Sequence, residues 1–109
     1  MMTIEERRQL KDQLIASGIW REGDARDPAT DPGASVALLE AMKEMLAPGA
    51  YLSYTVTLDS AQMTEVFISR DDKKFLLATH GDLYVAICLA ALALTEFLKQ
   101  LPEFAAPAR

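Results

Sequence analysis

Leu83-Tyr84-Val85-Ala86-Ile87-Cys88-Leu89-Ala90-Ala91-Leu92-Ala93-Leu94 is the stretch on which the fold turns. Its twelve residues carry no charge and would be apolar on every side of a helix, with small Ala86, Ala90, Ala91 and Ala93 set between larger side chains. A helix without a polar face has to be covered all round, and small residues let its neighbours come close. Gly81-Asp82 opens the helix, and Pro102 closes it because proline cannot continue the hydrogen-bond ladder. The uncharged run is well short of the roughly 20 residues that cross a bilayer. The sequence therefore predicts a central buried helix from Leu83 to Leu101, with Leu89 among its buried residues.

Upstream of it the apolar period falls from about 3.6 residues to 2. Leu52, Tyr54, Val56 and Leu58 alternate with Tyr51, Ser53, Thr55 and Thr57, which gives a strand one apolar face and one largely hydroxylated, exposed face. After a turn at Asp59 to Gln62, Met63 to Ser69 repeats the alternation, with Val66 and Ile68 on one face and Phe67 on the other. The charged tip Arg70-Asp71-Asp72-Lys73-Lys74 then leads into Phe75 to Thr79. Connections this short join antiparallel neighbours, because a parallel pair needs a crossover of about a dozen residues. The prediction is a three-stranded meander.

Toward the N-terminus, Thr3 precedes Glu6 by three residues, the spacing of a capping box, and the helix it opens carries Leu10, Leu14 and Ile15 before stopping near Gly18. That apolar stripe is thin. The helix is expected to be an accessory element, anchored by Ile19 and Trp20. From Glu22 to Gly33 the composition turns to Asp, Gly, Pro, Ala and Thr, the signature of a loop. Asp31 or Ser35 then caps a second helix along Val36, Leu39, Met42 and Leu46, ended by Pro48-Gly49. The expected organisation is an accessory helix over residues 1–21, an acidic loop over 22–34, an α+β sandwich core over 35–102 with both main helices packed on the sheet, and a disordered tail over 103–109.

A chain of 109 residues suits one domain, and half of its residues are apolar, enough for a core. Eleven Lys and Arg against sixteen Asp and Glu leave a net charge of -5, which disfavours direct binding to nucleic acid. One cysteine and one histidine cannot make an internal disulfide or supply the ligands of the usual zinc sites. No cofactor and no membrane partner are expected. A charged N-terminus without the apolar core of a signal peptide makes the cytoplasm the expected location.

The order helix, three antiparallel strands, helix resembles the phage ABA sandwich domain family of small bacteriophage proteins. The resemblance covers Asp31 to Leu101 and rests on the Ser35 to Leu46 helix, the aromatic strands after Pro48-Gly49, and the passage from Ala78-Thr79-His80-Gly81-Asp82 into the Ala86-Ile87-Cys88-Leu89-Ala90-Ala91-Leu92 helix. It implies a sandwich fold and a phage or prophage origin, in the cytoplasm of a bacterial host. It implies no reaction and no site residues.

His80, with Asp82 two residues on, invites a general-base reading, and Cys88 a nucleophilic one. Capping at a strand-to-helix turn accounts for the first pair and burial in an apolar helix for the second. The sequence assigns no catalytic, cofactor-binding or metal-ligating residue. Glu22, Asp24, Asp27 and Asp31 lack the EF-hand spacing. They read as a solvated linker or, with Trp20, as a partner-binding loop in which the ring supplies buried area and the acids steer toward a basic surface. The expected function is therefore non-enzymatic: a small acidic accessory protein that binds another protein. One concrete version is an inhibitor of the anti-CRISPR kind, seated in the basic channel of a nucleic-acid-binding host protein. Self-association through an uncovered sheet face is the alternative, and a small-molecule enzyme comes third.

Overall fold

A computed structural model of the chain describes residues 3–57 and 62–107. The fold is α+β, three helices and a three-stranded antiparallel sheet in the order β1-β2-β3. Helix α1 spans Ile4–Ala16, α2 Pro32–Glu44 and α3 Leu83–Gln100; the strands are β1 Ala50–Val56, β2 Thr64–Arg70 and β3 Lys73–His80.

Local chemistry sets the boundaries. Thr3 and Glu6 form the capping box of α1, with the Glu6 amide donating to Thr3 Oγ1 at 3.1 Å and the Thr3 amide to Glu6 Oε1 at 3.3 Å. Beyond its end Gly18 takes a φ of +86°, a conformation that costs glycine little. Asp31, not Ser35, caps α2, accepting from the amides of Gly33 and Ala34 at 2.8 and 3.2 Å. Asp82 does the same for α3 at Tyr84 and Val85, 2.9 and 3.2 Å. Strands β2 and β3 turn tightly at Asp71-Asp72, between the paired Arg70 and Lys73.

Helix α3 is the centre of the molecule. One side packs on β3 and β2, and other parts of its surface meet α2 and α1. Val85, Ala86, Ile87, Cys88, Ala90, Ala91, Leu94 and Leu98 are all buried. Leu89, expected among them, is only partly buried, and Leu94 is fully enclosed instead. By length and composition α3 could cross a membrane, yet in this fold its apolar surface is packed against the other elements. Helix α1 joins the core through buried Leu10 and Leu14. Helix α2 packs chiefly on α3 and not squarely on the sheet as expected.

The C-terminal segment corrects the expected disorder from residue 103. Pro102–Phe104 form a 3-10 turn that drives the Phe104 ring into the core, 5.1 Å from the Phe97 centroid and 5.9 Å from that of Phe75. The Ala47 amide donates to the Phe104 carbonyl at 2.8 Å, the Ala106 amide donates to the Met45 carbonyl at 2.8 Å, and the Arg70 guanidinium donates to the Glu103 carbonyl. One large side chain after the helix was enough to order the segment, because edge-to-face aromatic contacts add to its buried area. Phe104→Ala is expected to cost about 3–5 kcal/mol, the range for emptying a buried aromatic site. Chemical denaturation measures it, and a midpoint equal to that of the parent would show the tail to be dispensable.

Candidate functional site

The acidic loop is held by its own carboxylates. Asp24 Oδ1 accepts from the Arg26 amide and Nε, both at 3.0 Å, and Oδ2 accepts from Arg26 Nη2 at 2.8 Å. Those bonds from Arg26 hold the Asp24 carboxyl down at about 2, although the pair is solvent-exposed. Asp27 Oδ1 accepts from the Ala29 amide at 2.9 Å, and its carbonyl accepts from the amides of Thr30 and Asp31. Asp31 is spent on α2. Only Glu22 stands exposed with no hydrogen bond among the described residues. Trp20, read as a contact for a partner, is 7% exposed and belongs to the core cluster, with the Arg26 guanidinium carbon 5.7 Å from its ring centroid. Its role here is to tie α1 and the loop to the core, the anchoring expected of it with Ile19, and burial leaves little of the ring for a partner.

His80 and Asp82 are brought together, but both face the backbone. His80 Nδ1 accepts from the Asp82 amide at 3.0 Å, while the Asp82 carboxylate caps α3. Cys88 is fully buried, and desolvation pushes its thiol up to about 12, with the negative charges of Asp27 and Asp82 adding to the effect. A thiol so placed is a packing group at neutral pH. Among the described residues, no three His, Cys, Asp or Glu side chains lie close enough to hold a metal ion.

A different surface was not anticipated. Between α2 and β1 runs an open groove of about 480 Å³, lined by Val36, Leu39, Leu46, Leu52, Tyr54 and Ile87, with Glu40 and Lys43 at its rim. Val36 of α2 is 58% exposed, and Tyr54, on what should be the covered side of β1, is 53% exposed, while Tyr51 on the opposite side of the strand is 55% exposed. Strand β1 thus shows solvent both faces as well as its free edge.

The backbone of that edge can be assigned residue by residue. The Thr57 amide donates to the Met63 carbonyl at 2.8 Å, so Thr57 is in a hydrogen-bonded position toward β2. In an antiparallel ladder these positions alternate. Thr55, Ser53 and Tyr51 therefore direct their amides and carbonyls toward β2, whereas Leu52, Tyr54 and Val56 direct theirs outward, away from the sheet. Alternation in the sequence located the apolar side of β1 but carried no information on what covers it. No protein-family model, curated protein or solved structure matches the chain.

Burial of Cys88 gives a pH dependence with a definite sign. The unfolded thiol loses its proton from about pH 8.5, the folded one only near 12, so its contribution is complete below the first value and lost as pH rises toward the second. Denaturation midpoints measured between neutral and alkaline pH should fall more steeply for the parent than for Cys88→Ala. Parallel curves would show that the thiol ionises freely in the folded protein.

Proposed function

We propose that the protein acts by binding another polypeptide, without catalysis, and that the binding surface is the free edge of β1 together with the groove between β1 and α2. The observation that carries this reading is the outward row of Leu52, Tyr54 and Val56 backbone groups, beside half-exposed Tyr54 and Val36. An extended segment laid against β1 satisfies those groups, and its alternate side chains enter the groove, the usual mode of strand addition. The Lys43–Glu40 pair, 3.6 Å apart at the rim, provides polar contacts for orienting the segment. The acidic loop contributes at longer range: its ordered acids and the net charge of -5 favour a basic partner. In the phage setting that the resemblance implies, such a module is an accessory protein that occupies a host protein, with inhibition of a defence complex as one form.

Tyr54→Lys tests the surface, since it adds charge at a half-exposed position. Capture of protein partners from bacterial lysate should fall about tenfold for this variant at an unchanged melting temperature. The double variant Glu22→Gln with Asp24→Asn should slow association while leaving the captured partners the same. Loss of capture only in the double variant would move the site to the loop.

A further inference from the structure

The geometry points to a second copy of this chain as the occupant of the β1 edge, paired antiparallel about Ser53 to make a continuous six-stranded sheet. This inference rests on the reading of the β1 edge as a binding surface and places a second copy there instead of a basic partner.

Two edges are available, and they differ in kind. Strand β3 begins with Lys73 and Lys74 and carries a bulge at Leu77, where pairing passes from Val66–Ala78 to Phe67–Leu76. Lysines and bulges are the devices that keep an edge from pairing. Strand β1, Ala50-Tyr51-Leu52-Ser53-Tyr54-Thr55-Val56, has no charge, no proline and no bulge against β2. For two chains that each carry -5, a neutral strand is the segment that can meet its own copy without placing like charges opposite each other.

Register follows from the edge assignment. Pairing about Ser53 sets Leu52 against Tyr54 of the second copy and Tyr54 against Leu52, both in hydrogen-bonded positions, with Val56 against Ala50 at each end. The Ala50 amide is already used by the Ala47 carbonyl at 3.0 Å, so Ala50 contributes its carbonyl alone. Any other symmetric register shortens the paired stretch. On the opposite face Tyr51 meets Thr55, and Ser53 meets itself in a non-hydrogen-bonded pair, where α-carbons approach to about 4.5 Å. This contact is isologous and closes at two copies, whereas β1 against β3 would propagate without end. The dyad puts both α2 grooves on the same side, so they join across the paired strands, floored by two Leu52–Tyr54 pairs.

The area sets the strength. Two half-exposed tyrosines, about 150–250 Å² each when fully buried, with Val36 and Val56 beside them, leave each side short of the about 800 Å² of a standard interface. The dimer is therefore concentration-dependent. Screening the mutual repulsion of two acidic copies strengthens it, so added salt promotes association, the reverse of its effect on a basic partner.

Ser53→Cys decides the matter, because α-carbons at that separation lie within disulfide reach and Cys88 is buried away from the reaction. Under mild oxidation the full-length Ser53→Cys chain should become a covalent dimer in native buffer. Thr55→Cys, whose counterpart across the dyad is Tyr51, should not. Sedimentation of the parent should show a monomer–dimer equilibrium that Tyr54→Lys weakens about tenfold, since each lost pair counts twice. A parent that stays monomeric up to millimolar concentration, or cross-linking through Thr55→Cys that equals that through Ser53→Cys, overturns the proposal. If such a monomer still loses capture of a different protein on Tyr54→Lys, the β1 edge stands as a binding surface and the second copy falls. If capture is also unaffected, both readings fall.

Discussion

Burial of the apolar side chains of α3 is the constraint from which the rest of the architecture follows. Eight of its residues, from Val85 to Leu98, are closed off from solvent, and a helix with that surface has no stable existence outside a shell of other elements. The shell needs α3 in turn. Helices α1 and α2 are thirteen residues each, a length that is marginal in water without tertiary support, and α1 presents only Leu10 and Leu14 as fully buried contacts. Small residues at Ala86, Ala90 and Ala91 allow these neighbours to pack closely, so one segment organises both layers.

The dimensions of that helix also explain the uncovered strand. A helix with its side chains is about 10–12 Å across, and strands in a sheet are about 4.7–4.9 Å apart, so a single helix aligned with a sheet shields about two strands. Helix α3 shields β3 and β2. Helix α2 lies mainly against α3 and leaves the space beside Leu52 and Tyr54 as the groove. The aromatic cluster of Phe75, Phe97 and Phe104 closes the β3 side, and among the described residues it has no equivalent on the β1 side. The asymmetry of the two sheet edges is thus built into the layer arrangement.

Much of this was legible in the residues, because caps and periodicity are local. Thr3 with Glu6, Asp82 at the head of α3, the alternation through β1 and β2, and the uncharged helix each declare themselves within a few positions. Order at Phe104 was not legible, since a single ring after a proline makes no pattern and its partners Phe75 and Phe97 are distant in sequence. The loop acids were ambiguous for a related reason: a carboxylate that caps and one that awaits a partner have the same composition. A finer signal was present. Asp24, Asp27 and Asp31 each bond an amide two residues ahead, the spacing of an Asx turn, and proline follows both Asp27 and Asp31. The groove left no trace at all, because alternation records which way a side chain points and not what lies beyond it.

Two long stretches of this chain lack any charged residue although a quarter of its residues are charged: Met45 to Leu58 and Leu83 to Thr95. In the second, burial is a sufficient cause at Val85 to Cys88, Ala90, Ala91 and Leu94, since a charge at those positions would be desolvated without a partner. The same cause does not reach the first. Tyr51 and Tyr54 are half-exposed and Thr55 and Thr57 lie at the surface, where a lysine or glutamate would cost little and would protect the edge from pairing. A polar substitution there would be nearly neutral to folding. A neutral exposed strand flanked by an apolar groove is therefore not something the stability of this fold requires.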